Sequence, residues 1–249
     1  MAGHSHWAGI KHKKAVVDAK RGRLFSKLAK EISVAARLGG GNPEANIALR
    51  AAIERAKAAN MPKDNIERAI KSGTGELPGV RYERLAYEGY GPGGIAILLD
   101  VLTDNRNRTA AELRKIFSLR GGNMEGSVAW MFESKGLITV PADKVEEDKL
   151  LEIVLEAGAD DLQEVDGTYE ITTSPSNFQA VKQAILDAGI EPEVAELTML
   201  PQTLIRLDPE TTKRGLALLE ELNDHDDVQN VYTNLDIPAE LAAEASKDQ

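Results

Sequence analysis

The sequence predicts an α+β protein in which a three-helix unit with a basic arm precedes two α+β domains, one of them inserted in the other. Apolar residues recur with a helical period between residues 20 and 73, whereas strand-like runs begin only after residue 80. The order strand, helix, strand, strand, helix, strand then lies uninterrupted within residues 133–201, which is the ferredoxin-like order βαββαβ.

The helical unit is predicted to follow a basic arm. Residues 1–19 have no clear apolar period and are expected to form a mobile arm. We expect Asn42 with Pro43 to cap the second helix, Pro62 to begin the third, and Gly73 to end it. The first helix has an apolar face with spacings of four, four and three residues, formed by Leu24, Leu28, Ile32 and Ala35.

The remaining elements divide into two domains. A hairpin joined by Gly-Pro-Gly-Gly precedes a helix and a short predicted strand, SVAWMFE. A helix and a strand after residue 201 complete the ββαβ pattern begun near residue 80, so the ferredoxin-like domain is predicted to be an insertion. The predicted boundaries are 1–78 for the arm and three helices, 79–132 with 202–239 for the discontinuous domain, and 133–201 for the inserted domain.

Charge is unevenly distributed along the chain, whose formal net charge is -10. Residues 1–72 carry 15 Lys or Arg against 6 Asp or Glu, whereas residues 133–201 carry 4 against 16. Such asymmetry suggests that the first part meets a polyanion, although acidic surface also maintains solubility. The inserted domain is acidic and its strands hold one aromatic residue, Tyr169, so a protein partner is more plausible there than RNA.

The candidate nucleic-acid-binding residues lie in the arm and the first helix. Spacings of three, four and three place Lys20, Arg23, Lys27 and Lys30 on one helical face, here called the basic face. Each long cation could displace a counterion from a phosphate, and the alternative is a solvated helix surface. The full set predicted to bind nucleic acid here is Lys11, His12, Lys13, Lys14, Lys20, Arg21, Arg23, Lys27 and Lys30.

Two further candidates, Arg106 and Arg108, lie at the predicted start of a helix. Positive charge opposes the helix dipole at that end, so an arginine placed there calls for an anionic contact. We expect either a ligand such as nucleic acid or a structural ion pair with an acid of the same domain.

Several functions are disfavoured by what the sequence lacks. The chain has no Cys, which excludes disulfides, thiolate catalysis and zinc sites built on Cys. No hydrolytic or transfer constellation and no phosphate loop is present, so we expect a non-enzyme without a cofactor. His4, His6 and His12 could suggest Cu(II), but an arm without functional metal is preferred. The absence of a long apolar run or a secretory signal favours a cytoplasmic protein without a membrane partner.

Four long stretches carry a resemblance to a known family: AGHSHWAGIKHKKAVVDAKRG, NMPKDNIERAIKSGTG, EGYGPGGIAILLDVLTDNRNRT and GGNMEGSVAWMF. Together they extend from the arm to residue 132, and they resemble the YebC/PmpR family of bacterial regulators. That family includes the mitochondrial translational activator of cytochrome c oxidase. Two departures are His6, where many members have Lys, and Ile47, where many have Pro.

The resemblance implies a three-domain protein with a cleft and no catalysis. Members are described as DNA-binding transcriptional regulators, and others act on the ribosome to relieve stalled translation. No helix-turn-helix spacing is present, which favours recognition of backbone or shape. We therefore expect a nucleic-acid-binding regulator of gene expression, in the first place a DNA-binding transcriptional regulator. The alternatives are a ribosome-associated translation factor that binds rRNA and a protein-interaction adaptor with no nucleic-acid role.

Overall fold

The structure is a computed structural model that describes residues 7–10 and 18–245, with side chains described for 7–10 and 21–244. It confirms the α+β class. The helices are α1 (Asp18–Gly39), α2 (Ile47–Ala58), α3 (Lys63–Thr74), α4 (Arg106–Leu119), α5 (Glu147–Glu156), α6 (Phe178–Asp187), α7 (Pro209–Asp224) and α8 (Ala239–Ala245). The strands are β1 (Glu83–Tyr90), β2 (Ala96–Thr103), β3 (Phe132–Pro141), β4 (Asp161–Val165), β5 (Thr168–Thr173), β6 (Val194–Pro201), β7 (Ile205–Arg206), β8 (Val228–Thr233) and β9 (Leu235–Asp236).

The three N-terminal helices form a unit with its own core, as the apolar periods predict. Leu28 and Ile32 of α1 bury their side chains with Leu49 and Ile53 of α2 and with Ile66 of α3. Burial of one face from each helix supplies most of the stability of such short helices, because helices of this length are marginal alone.

The start of α2 differs from the prediction. Its N-cap is Asn46, whose Oδ1 accepts the backbone N–H of Leu49 at 3.1 Å, while its Nδ2 donates to the carbonyl of Ala35 at 2.8 Å. Asn42 instead accepts the N–H of Glu44 at 3.0 Å in the preceding turn. Both Asn residues can cap a helix, and the tie from Asn46 back to α1 is a tertiary contact that the local pattern does not encode.

The end of α3 also lies beyond the predicted residue. The helix continues to Thr74, and Gly75 ends it in the left-handed conformation with φ of 83°. Gly73 has a packing role, since a Cβ there would collide with the backbone carbonyl of Ser33 in α1. This glycine therefore permits close approach of α1 and α3.

The middle domain is built on a three-stranded antiparallel sheet in the order β1-β2-β8. The predicted hairpin is present as β1 and β2, and α4 follows it. Strand β8 pairs with β2 although the whole ferredoxin-like unit lies between them in sequence. Leu99 of β2, Leu113 of α4 and Leu219 of α7 are buried in one cluster, so late and early segments share this core.

The predicted strand SVAWMFE is wrong except at its last two residues, Phe132 and Glu133. Residues Ala129–Met131 form a 3-10 turn, and β3 begins at Phe132 and continues without a break to Pro141. The carboxylate of Glu88 accepts the backbone N–H groups of Val128 and Ala129, which fixes the turn in place of strand pairing.

The inserted unit has the ferredoxin-like sheet that the element order predicts. Its four antiparallel strands have the order β4-β5-β3-β6. Ile138 and Ile171 on one face of the sheet are buried with Leu150 of α5 and Val181 of α6. Both helices therefore cover the same face, as in a two-layer α+β domain.

The expectation of a mobile arm is wrong for residues 7–10, which form a helical turn. Trp7 is 1% exposed and belongs to the core of the middle domain, where its Nε1 donates to the carbonyl of Val231 at 2.9 Å. Ala8 is buried with Leu137 and Leu200 of the inserted unit. The segment before α1 therefore ties both α+β units together, while His4 and His6 lie outside the described residues.

We predict that residues 133–201 fold when expressed alone, because all four strands and both helices of their sheet are local. A fragment of residues 79–132 should not fold, because β8 and α7 lie later in the chain. Circular dichroism with urea titration of each fragment checks this: a cooperative transition is expected only for the first. The reverse result would contradict the proposed domain boundaries.

Candidate nucleic-acid interface

The basic face of α1 packs against the end of α7 and the loop that follows it. This loop region, residues 223–227 with the sequence NDHDD, is here called the acidic turn. Arg21 is exposed on α1. Of the other predicted arm residues, those outside the described part of the chain are Lys11, His12, Lys13 and Lys14, together with the side chain of Lys20.

Two cations of the basic face contact the last carbonyls of α7. Lys27 Nζ donates to the carbonyl of Asn223 at 2.5 Å, and Arg23 Nη1 donates to the carbonyl of Asp224 at 3.4 Å. Arg23 also lies 3.6 Å from the carboxylate of Asp224. The last carbonyls of a helix lack intrahelical donors and carry partial negative charge, so lysine and arginine stabilise this end.

Lys30, the next cation along the basic face, contacts both a carboxylate and a backbone carbonyl of the acidic turn. Its Nζ lies 2.6 Å from Asp227 Oδ1 and donates to the carbonyl of Asp226 at 3.0 Å. The Lys30 and Asp227 side chains are only 12% and 6% exposed. This pair is therefore shielded from solvent and joins the helical unit to the middle domain.

Asp227 is the centre of a hydrogen-bond network that joins three elements. Its Oδ2 accepts from Thr109 at 2.7 Å, from Arg108 at 2.8 Å and from Thr103 at 3.1 Å, while Oδ1 accepts from Lys30. Burial acts to raise the pKa of Asp227, but the hydrogen bonds from Lys30, Thr109 and Arg108 outweigh it and hold the pKa well below its usual range. The carboxylate is therefore ionised at neutral pH.

The two arginines at the start of α4 have different environments. Arg108 Nη2 lies 2.8 Å from both Asp104 Oδ1 and Asp227 Oδ2, so the structural ion pair accounts for its position. Arg106 is exposed, and within the described residues its guanidinium has no ion-pair partner. Its carbonyl accepts a hydrogen bond from Tyr87 at 3.3 Å. Of these two arginines, Arg106 is therefore the one whose charge no acid of the described residues offsets.

His225 stabilises the acidic turn. Its Nδ1 accepts the backbone N–H of Asp227 at 3.1 Å, and its Nε2 lies 3.0 Å from Glu112 Oε2. Because Nδ1 is the acceptor, the proton of the neutral ring is on Nε2, which donates to Glu112. His225 thus fixes the acidic turn on α4.

A cleft of about 710 Å³ lies between α1 and the middle domain, beside these contacts. Lys30 Nζ is 5.6 Å from the ring centre of Tyr82 at its edge. Both signs of charge line this cleft, from Arg23, Lys30, Tyr82, Asp104, Arg108, Glu112, Asp224, His225, Asp226 and Asp227.

The helical unit has further exposed cations that the sequence reasoning did not single out. Their side chains are exposed and, in the part of the chain that the structure describes, none of them forms an ion pair. The only sequence signal for them is the excess of Lys and Arg in residues 1–72. These cations are Arg37, Lys57, Arg68 and Lys71.

Trp130 is the second feature that the sequence reasoning missed. Its side chain is 67% exposed, and its Nε1 donates to the carbonyl of Ser127 at 3.0 Å. The Glu88 carboxylate accepts from Ser127 Oγ at 3.0 Å and from the N–H of Ala129 at 2.7 Å. An indole with its N–H already bonded, on a turn fixed by a carboxylate, presents its apolar ring to solvent.

Acid should weaken the turn that carries Trp130. Burial acts to raise the pKa of Glu88, but its hydrogen bonds from Ala129, Val128 and Ser127 lower it overall. Because the pKa of Glu88 is lower in the folded than in the unfolded protein, its ionised form stabilises the fold. This contribution is complete above the unfolded pKa, about 4.3 for Glu, and is lost as the pH falls through the folded pKa. Urea unfolding from pH 7 to 3 should show the wild type losing its advantage over Glu88→Gln. A pH-independent difference would contradict this.

None of the helices in the described residues is long and apolar enough to cross a membrane. The fold and the interface together define a three-part protein in which a basic helical unit is tied through charged contacts to the first of two α+β units. Family models match both parts: the TACO1/YebC N-terminal domain over residues 5–76, and the TACO1/YebC second and third domain over residues 82–235. The chain belongs to the TACO1/YebC family.

Curated relatives and a solved structure are similar over nearly the whole chain. A protein of Dictyoglomus turgidum is 56% identical over 97% of this chain and 98% of its own, and one of Geobacter sulfurreducens is 55% identical over 96% and 98%. Both are named "Probable transcriptional regulatory protein". The crystal structure of a conserved hypothetical protein from Aquifex aeolicus has a TM-score of 0.81 and 51% identity, covering 94% of this chain and 97% of its own.

Proposed function

We propose that this protein is a nucleic-acid-binding regulator of gene expression that acts on DNA without catalysis. The observation that carries the proposal is the separation of charge between structural units. Residues 1–72, with 15 Lys or Arg against 6 Asp or Glu, include the helical unit, and the acidic residues concentrate in the inserted unit. The names of the relatives as transcriptional regulators support the same conclusion.

Such a surface would bind the phosphate backbone by counterion release, with little direct reading of bases. The arm residues Lys11, Lys13 and Lys14 lie between the buried turn at residues 7–10 and the start of α1 in sequence, so both flanks belong to the folded protein. Arg106 adds an exposed cation from the middle domain. The acidic inserted unit would be repelled by nucleic acid and is the proposed site for a protein partner.

Structured RNA, as in a ribosome, is the second candidate target, and Trp130 is the observation that favours it. Unpaired RNA bases commonly stack on exposed aromatic side chains, whereas a DNA duplex keeps its bases stacked on each other. A rigid, 67% exposed indole is suited to such stacking. A loss of binding to rRNA but not to duplex DNA in Trp130→Ala would favour the ribosomal role.

The arm provides the direct test. Lys11→Gln, Lys13→Gln and Lys14→Gln combined should weaken binding to any duplex and reduce the slope of log affinity against log salt by about one per charge. Fluorescence anisotropy with a labelled duplex measures the affinity and the salt slope. The salt concentration is varied between roughly 50 and 200 mM, where the affinity falls steeply.

The matched control removes three cations from the acidic inserted unit: Lys144→Gln, Lys149→Gln and Lys182→Gln. It changes the net charge equally and should leave the salt slope unchanged. Retrieval of the tagged wild type with and without nuclease then separates promoter DNA from ribosomal subunits. Protein partners that survive nuclease, with no anisotropy change, would leave only the adaptor function.

A further inference from the structure

The basic face of α1 is already occupied by the acidic turn. Arg23, Lys27 and Lys30 donate to backbone carbonyls at the end of α7 and in the turn, at distances of 2.5 to 3.4 Å. Those carbonyls carry partial negative charge, and the carboxylates of Asp224 and Asp227 add full charges. The turn therefore offers the basic face the same kind of anionic oxygens that a phosphate backbone offers.

The strength of these contacts differs between the two ends of the basic face. At one end Lys30 and Asp227 are 12% and 6% exposed and 2.6 Å apart, and Asp227 is held by three further donors. At the other end Arg23 and Asp224 are 44% and 38% exposed and 3.6 Å apart. Exposed pairs of this kind contribute little, about 0 to 1 kcal/mol, so the Arg23–Asp224 contact can open at small cost.

We propose that the acidic turn is a built-in competitor of nucleic acid for Arg23 and Lys27, with the Lys30–Asp227 pair remaining as a fixed pivot. The inference rests on the proposed function and assigns a regulation to it. Nucleic acid displaces Asp224 and the carbonyls of Asn223 and Asp224 from these two cations. The intramolecular contact lowers the affinity for weak or short anionic sites and is overcome only by a strong one.

The neighbouring cleft provides room for this exchange. Arg23 lines it together with Asp224 and Asp226, so phosphates that enter the cleft can reach Arg23. Asp226 is exposed and adds negative charge at the same place. Removing these two carboxylates should therefore free the switchable end without touching the pivot.

The test variant is Asp224→Asn with Asp226→Asn in the full chain. Its affinity for a labelled duplex and for an rRNA hairpin should rise roughly threefold to tenfold, because one or two weak ionic contacts no longer compete. Its salt slope should become steeper by about one. In the variant, Arg23 is no longer paired with the Asp224 carboxylate, so its contact with a phosphate releases one more counterion. Adding Arg23→Gln and Lys27→Gln should cancel both changes.

The control is Glu152→Gln with Glu156→Gln, two exposed acids of α5 that give the same change in net charge. This control should leave the salt slope unchanged. Its change in affinity should be less than about half of the change expected for Asp224→Asn with Asp226→Asn. If the wild type binds but the Asn pair behaves as this control does, the competition is disproved while the proposed function stands. If no variant binds either probe, both are wrong. Binding by the Asn pair alone would support the competition. Asp224→Asn by itself serves if the pair proves unstable.

Discussion

Trp7→Ala is expected to lower the free energy of unfolding by about 3–5 kcal/mol, the usual loss for a large aromatic side chain in a core. Trp7 is 1% exposed within the core of the middle domain. The substitution also leaves the carbonyl of Val231 without the indole donor that lies 2.9 Å from it. Because Ala8 packs on the inserted unit, the loss of this anchor should loosen that contact too.

The protein supplies its own control, because its other tryptophan is exposed. Trp130→Ala should change stability by no more than about 0.5 kcal/mol, as for most surface substitutions. Urea unfolding followed by far-ultraviolet circular dichroism measures the free energy of unfolding of both variants. Each variant keeps one tryptophan, and its fluorescence emission should be blue-shifted only where that residue is the buried Trp7. Equal, small losses in the two variants would place residues 7–10 outside the core.

The sequence could not reveal this anchor by periodicity. The described turn has four residues, and an apolar period needs at least two turns of helix before it stands out from chance. Because Lys11, Lys13 and Lys14 directly follow this turn, the sequence pattern of residues 1–19 is typical of a solvated arm. The spacing of Trp7 and Ile10, one helical turn apart, was the available signal, and Ile10 is indeed in the same core.

The elements that the sequence did predict share a different property. The ferredoxin-like order lies in one uninterrupted stretch, so local patterns determine both its helices and its strands. The predictions of element boundaries were wrong where a tertiary contact, and not the local sequence, determines the structure. Asn46 rather than Asn42 caps α2 because it also bonds back to α1, and Glu88 turns the segment before β3 into a 3-10 turn.

The basic face shows the same division between local and distant information. Helical spacing correctly places Arg23, Lys27 and Lys30 on one side of α1, where all three reach the acidic turn. Their partners lie about 200 residues later in the chain, in a run of acids whose directions no local rule determines. Removing these cations should therefore cost stability, since each makes a contact between units.

Asp227→Ala is expected to destabilise the protein by about 3–5 kcal/mol, because it leaves buried charge without a partner. Lys30 is 12% exposed and would lose its carboxylate, and Arg108 would lose one of its two close acids. The hydroxyls of Thr103 and Thr109 would lose an acceptor in the same step. The effect should greatly exceed that of an exposed ion pair.

Asp226→Ala is the matched control, since the neighbouring carboxylate is exposed and its contact to Lys30 uses the backbone carbonyl. It should cost less than about 0.5 kcal/mol. In the Asp227→Ala background, Lys30→Met should restore part of the stability, because it removes the orphaned ammonium and keeps an apolar stem of similar length. Urea titration of the wild type, Asp227→Ala, Lys30→Met and the double variant gives the coupling free energy between Asp227 and Lys30. Additive losses for Asp227 and Lys30 would show that the pair is not the pivot between the helical unit and the middle domain.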